Sequence, residues 1–428
     1  MTLSAERIRS AVEAERTVAE RFLSCLASKT ADTVGVTRDS YGDGENRAHE
    51  IFAEFAGELG LELRHDAALN SYATLRGTDP DAPAVVIGSH LDSVPKGGNF
   101  DGAVGVAAGL TVCAALRRAG AVVPFDVTVM GIRAEESIWF PASYIGSRAA
   151  LGSLPVDALD SVRRNDTGRT LADHIAASGG DVARLRTGKA ALDPAKLRAY
   201  VEVHIEQAPV LFDTGLPLGI CTGIPGNFRY PNAQIIGRDD HVGTPRRFRR
   251  DAAIAGAALA MAMDREWAKL EALGVPVAMT FGRFHTDPDR HGMTVVPGCF
   301  HFSLDVRAYD PNILNQLKAE LHRIVDEVAG AHRVTVDLGR RTSAMIGEMD
   351  PLIIADWSDR AKKIGLSAIR LESPGSHDAA AFADAGVPTA MLLLRNENGS
   401  HNPDERMETS DLMDACQLLT HWLVDLAK

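Results

Sequence analysis

The chain has 428 residues, with 45 Lys and Arg against 57 Asp and Glu, a formal charge of −12. That length accommodates two or three domains, or one large domain carrying an insertion. Hydrophobic residues at 45% and charged residues at 24% exclude disorder, collagen and coiled coil, and the acidic balance argues against nucleic acid, whose phosphates need a basic face.

The first residues, MTLSAERIRSAVEAER, have no apolar core and carry charge early, so no signal peptide is expected and a cytoplasmic location is. Val12–Ala27 and Asn46–Leu59 have helical spacing, the second through Ile51, Phe52, Phe55 and Leu59. Short apolar runs follow that end in polar clusters. Residues 84–88 end at Ser89-His90-Leu91-Asp92, and 127–132 end at Arg133-Ala134-Glu135-Glu136. Residues 200–205 end at Glu206-Gln207, and 389–394 lie just before Gly399-Ser400-His401. Helical segments between them predict an α/β mixed sheet covered by helices on both faces, whose ligands gather at strand carboxyl ends. Along 201–207, alternation predicts one polar face with Glu202, His204 and Glu206, and one apolar face.

The middle of the chain has a different pattern. Strands are expected at 228–236, 276–284, 299–308 and 333–338, with helices at 250–273 and 311–329. This β-α-β-β-α-β order predicts a ferredoxin-like α+β domain inserted at 225–338 into a discontinuous domain of 1–224 and 339–428. No apolar run is long enough to span a bilayer, and no membrane partner is expected.

The polar clusters carry the chemistry. His90 can offer a neutral imidazole to a metal, and Asp92 can take the other ring N–H and fix the tautomer. Asp101 sits in a glycine-flanked loop, and its two oxygens can bridge two cations. A His/Asp pair also caps loops, and a lone acidic pair such as Glu135-Glu136 is often only a solvated strand end. Four such clusters on one sheet, however, suit borderline metals such as Zn²⁺, Mn²⁺ or Co²⁺ rather than a Ca²⁺ cage. The five cysteines form no C-x-x-C pair, so free thiols are expected and a cysteine-based zinc site is not.

The stretches GSHLDSVPKGGNFDGAVGVAAGL, VEVHIEQAP, HVGTP, FSLDVR, SHDAAAF and GSHNPDE, in this order, resemble the hydantoinase/carbamoylase family of two-metal amidohydrolases. The resemblance implies one divalent metal on His90, Asp101 and His204, and a second on Asp101, Glu136 and His401. It makes Glu135 the general base, with Asp92 and His241 also catalytic. It places Gln207, His241, Thr294, Arg307 and His377 at substrate-binding positions, Thr294 standing where the family usually has Asn. Arg307 would pair with a substrate carboxylate. The inserted domain would act as a lid and form a homodimer, each His241 reaching the partner's site to stabilise the developing oxyanion. The implied activity is hydrolysis of a linear C–N bond in an N-carbamoyl or ureido acid. The alternative is the same machinery acting on an N-acyl amino acid, a dipeptide or an aromatic amine.

Overall fold

The computed structural model describes residues 3–428. By its internal contacts the chain falls into two units, Met1–Ile224 with Gly347–Lys428, and Pro225–Ile346.

The first unit is built on an eight-stranded mixed sheet. Its strand order is Glu62–His65, Ser71–Leu75, Val127–Ile132, Ala84–His90, Leu197–Ile205, Thr389–Leu394, Leu218–Cys221, Ala368–Leu371. The four middle strands, from Val127–Ile132 to Thr389–Leu394, run parallel to one another. These are the apolar runs expected from the sequence, and parallel pairing delivers their carboxyl ends to one edge. The helix Ala103–Ala119 packs on three of them and is itself covered by Ala5–Ala14, Arg16–Lys29 and Thr409–Leu426. Small residues allow this approach: a Cβ on Gly109 would stand 2.7 Å from the Val129 side chain.

One local expectation changes. The opening helix is two helices, Ala5–Ala14 and Arg16–Lys29, with a break at Glu15, where ψ is 6°. Glu15 there meets Arg118 of the helix beneath. The polar face expected along 201–207 lies inside the protein, because the helices Ala103–Ala119 and Ala379–Asp384 pack against the Leu197–Ile205 strand. Glu202, His204 and Glu206 are all buried. Their charges are satisfied internally: Glu202 accepts from Ser89 Oγ (2.8 Å) and Ala379 N (2.8 Å), and Glu206 accepts from Leu211 N (2.7 Å).

The second unit has the antiparallel strand order Val277–Thr280, Cys299–Ala308, Gly226–Ile236, Thr335–Asp337. The helices Ala252–Ala272 and Pro311–His332 pack on this sheet. Phe300, Phe302, Leu304 and Val306 face the helices and are buried with Leu259, Leu321 and Ile324. The unit reaches Ile346, past the expected 338, and takes in the strand Thr342–Ala344, which pairs with Gly226–Ile236. The strand expected at 276–284 is two pieces, Val277–Thr280 and Phe284–Thr286, both paired with Cys299–Ala308. The register of Cys299–Ala308 against Gly226–Ile236 shifts between Phe302 and Leu304, and Ser303 bonds Arg283 instead. Among the described residues no helix is long and apolar enough to cross a membrane.

Candidate metal centre

The parallel strands bring residues far apart in sequence to one edge of the first unit. His90 ends its strand, His204 lies one residue before the end of the next, and Glu135 and Glu136 follow Val127–Ile132. Asp101 lies in the loop after His90, just before Gly102, whose φ is 70°. A Cβ at Gly102 would stand 2.5 Å from the His90 ring, so both backbone conformation and space require glycine there.

Two donor groups share Asp101: His90, Asp101 and His204 form one, and Asp101, Glu136 and His401 the other. Asp101 Oδ1 is 3.0 Å from His204 Nε2 and 3.4 Å from His90 Nε2. Its other oxygen, Oδ2, is 3.4 Å from His401 Nε2, which is 3.6 Å from Glu136 Oε1. Each carboxylate oxygen therefore faces its own imidazole set.

Tautomers follow from the backbone. His90 Nδ1 lies 3.0 Å from the Asp92 carbonyl, and His204 Nδ1 lies 2.9 Å from the Ile205 carbonyl. A carbonyl only accepts, so each ring keeps a proton on Nδ1, and in its neutral form it turns the Nε2 lone pair inward. The two Nε2 atoms stand 3.5 Å apart beside Asp101 Oδ1. Such a convergence of acceptors calls for positive charge, and imidazoles with carboxylates are the ligands of borderline divalent metals.

The electrostatics express the same demand for positive charge between the carboxylates. Burial opposes a charged His90, but hydrogen bonding to Asp101 and Asp92 outweighs it and holds the ring well above its usual pKa. Burial also acts to raise Asp101, yet His204 and His90 hold it well below the usual carboxylate range. Burial pushes the Glu135 carboxyl well up, with His90 opposing and Glu136, Asp378 and Asp92 adding to the rise. Glu136 moves the same way through burial and Asp101.

Other residues hold the donors in place. The Asp92 carboxylate, 3.3 Å from His90 Nδ1, accepts from Glu135 N (3.1 Å), Glu136 N (3.0 Å) and Ser40 Oγ (2.6 Å). Its contacts thus orient the Glu135-Glu136 backbone as well as the ring. Gln207 Nε2 donates to Asp101 Oδ2 at 3.0 Å, and Ser400 Oγ donates to the same oxygen at 2.5 Å. His377 packs edge-on against His204, with ring centroids 4.3 Å apart, and bonds Ser373 Oγ at 2.6 Å. Trp139 bonds the Ser93 carbonyl at 2.8 Å beneath the Arg164 guanidinium.

Sequence reasoning missed three supports. Arg38 is completely buried and pins the two ends of the loop that carries Asp101, through the Leu91 carbonyl (2.8 Å) and Asn99 Oδ1 (3.2 Å). Glu405 accepts from Phe100 N (2.7 Å) and Asp101 N (3.1 Å), and burial pushes it up to about 7. Glu45 accepts from Ala134 N (2.8 Å) and pairs with Arg133 (2.9 Å), supporting Ala134 at φ 53° just before the acidic pair. Arg38 and Glu45 lie in no recognisable motif, while Glu405 closes the GSHNPDE stretch.

His241, Thr294 and Arg307 belong to the second unit. Gly243 N donates to His241 Nδ1 at 3.1 Å, which leaves the neutral ring's proton on Nε2. The Thr294 carbonyl accepts from Val242 N beside it (2.9 Å). Arg307 shares Asp305 with Arg229, at 3.1 Å and 2.9 Å.

The family model described as Peptidase family M20/M25/M40 matches residues 86–425. The chain belongs to this family. This M20 chain is 35% identical over 401 residues to the N-carbamoyl-L-amino acid amidohydrolase of Geobacillus stearothermophilus, covering 92% of the chain and 94% of that relative. It is 29% identical to the allantoate amidohydrolase of Escherichia coli (strain K12), covering 96% and 98%. Among solved structures, a hydantoinase/carbamoylase family amidase from Burkholderia ambifaria aligns with a TM-score of 0.79 at 28% identity, covering 96% and 98%. The resemblance carried by the motifs and these comparisons agree: the chain is a hydrolase of a metal-dependent family whose relatives are named amidohydrolases.

Proposed function

We propose that this M20 enzyme hydrolyses a linear C–N bond of an N-carbamoyl or ureido acid. The observation that carries the reading is Asp101, whose two oxygens face separate imidazole sets. The amidohydrolase names of its relatives support the bond type. His90, Asp101 and His204 would hold one divalent cation, and Asp101, Glu136 and His401 a second. Zn²⁺ suits these donors best, with Mn²⁺ and Co²⁺ as alternatives. When bound, such a pair lowers the pKa of water and polarises the scissile carbonyl.

The chain's own residues do the rest. Glu135 takes the proton of the attacking water and passes it to the leaving nitrogen. A carbamoyl group then leaves as CO₂ and ammonia, freeing the amine. Asp92 keeps Glu135 and Glu136 aligned through their backbone amides. Gln207 positions substrate beside Asp101. The Arg307 fork binds the substrate carboxylate. His241 Nε2–H donates to the developing oxyanion, with Thr294 alongside, across a homodimer formed by the second unit. Support for self-association comes from Ile254 and Met261, both exposed and seven residues apart on one face of the helix Ala252–Ala272.

The test offers N-carbamoyl amino acids, ureido acids, N-acetyl amino acids and dipeptides to metal-stripped and metal-reloaded protein, scoring ammonia and free amine. Ammonia from a ureido acid, only after reloading, is the expected result. Turnover of acyl amides with no ammonia from any ureido acid would overturn the bond assignment.

A further inference from the structure

We infer that Arg283, Asn232, His285 and His301 form an oxyanion site on the second unit, fitted to inorganic phosphate. These residues line a recess of about 210 Å³ beside Phe302, and no carboxylate lines it. Strand pairing assembles it. His285 is the direct cross-strand partner of His301 in the ladder between Phe284–Thr286 and Cys299–Ala308. The register shift between Phe302 and Leu304 frees Ser303, which fixes the Arg283 backbone from both sides. Arg283 N donates to Ser303 Oγ at 2.9 Å, and Ser303 N donates to the Arg283 carbonyl at 3.0 Å.

Arg283 is the charged anchor. Its Nη2 donates to two neutral acceptors, the Pro231 carbonyl and Asn232 Oδ1. Among the described residues it forms no ion pair, so its Nη1 and Nε keep their N–H groups for a ligand. A guanidinium held this way, in a chain of net charge −12, offers an uncancelled charge and the fork that grips a phosphate. Acids on the adjoining turns are engaged elsewhere. Asp337 accepts from Gly339 N (2.9 Å) and Gln234 Nε2 (3.3 Å), and Asp287 accepts from Asp289 N (3.1 Å). Gly339 packs against the Asn232 carbonyl, where a Cβ would stand 3.2 Å from it. Arg340 and Arg341 follow directly and add positive potential at this edge. The histidines suit the ligand's own proton. His285 Nδ1 donates to the Thr286 carbonyl at 2.9 Å, so the neutral ring leaves Nε2 as an acceptor. Hydrogen phosphate has a P–OH to donate there, and sulfate has none. His301 engages Cys299 Sγ through Nε2 at 3.4 Å, which leaves its Nδ1 for the ligand. The recess has room for the anion and its waters.

The experiment follows the histidine Cε1–H signals of zinc-loaded full-length protein by NMR at fixed pH and ionic strength. His285→Gln and His301→Gln assign the two signals of the recess. Because these signals are resolved by residue, phosphate held by metals on the first unit does not enter the reading. Added inorganic phosphate should move both signals and saturate. In Arg283→Gln, a change at an exposed position, the phosphate concentration for half-maximal movement rises about tenfold or more. Sulfate should need a higher concentration than phosphate in wild type. No saturable movement of the two signals in wild type would overturn the proposal. So would an unchanged half-point in Arg283→Gln. Equal half-points for phosphate and sulfate would refute the acceptor role of His285 Nε2.

Discussion

Glu135 differs from its neighbour Glu136 in what surrounds it. Glu136 faces His401, whereas Glu135 belongs to neither donor group. Burial makes its charge costly, which is how a carboxylate becomes a useful proton acceptor and donor. Glu135→Gln keeps shape and hydrogen-bonding capacity but cannot carry the proton. Its kcat should fall about 10²–10⁴-fold, with metal content and melting temperature unchanged. Activity near wild type would remove Glu135 from the base role. The adjacent pair was legible as acids after an apolar strand. Residue type alone did not divide the roles between them; the motif resemblance did, and in the structure it is Glu136 that the His401 loop approaches. Asp92 shows the same limit. Sequence spacing placed its carboxylate on the His90 ring, whereas its backbone carbonyl stands closer to that ring and the carboxylate also serves two amides.

The helix Asp43–Glu58 carries its own pH dependence. It turns Glu45 and His49 into the first unit, where both are buried. His49 Nδ1 bonds Ser71 Oγ at 2.7 Å. Burial, reinforced by Arg133 and His65, holds the ring well below its usual value of 6.5. The folded ring therefore stays neutral where the unfolded one takes up a proton. Below about pH 6.5 the unfolded state binds more protons, so stability falls as pH drops, with a limiting slope of about 1.4 kcal/mol per pH unit. Urea unfolding on either side of this pH should show the slope in wild type and a flatter one in His49→Gln. Identical slopes would mean that His49 is protonated in the folded state. The helix itself is evident from Ile51, Phe52 and Phe55. That its polar residues point inward is a consequence of the strands it covers.

The insertion leaves and re-enters the first unit through adjacent segments, Gly223–Ile224 paired antiparallel with Gly347–Glu348. A domain inserted this way can carry residues such as His241 and Arg307 without disturbing the parent sheet. If His241 acts on the partner's substrate, two inactive variants should rescue each other. Glu135→Gln supplies an intact His241, and His241→Ala supplies an intact Glu135. Co-refolded in equal amounts, half the dimers are mixed and each holds one complete site, so about a quarter of wild-type activity should return. No recovery, with mixed dimers demonstrated by differential tagging, would place His241 in its own subunit's site.

The sequence by itself determined the apolar strands, the amphipathic helices, the change of pattern in the middle of the chain and the polar clusters after His90, Glu135, His204 and His401. All of these depend on short-range periodicity and on residue type at a strand end. Tertiary structure decided which oxygen of Asp101 faces which imidazole and why Leu197–Ile205 is buried on both faces. It also set Arg38 against both ends of the loop that carries Asp101 and placed His301 opposite His285. Those outcomes depend on strand order and register between residues tens to hundreds of positions apart, and no local pattern encodes them.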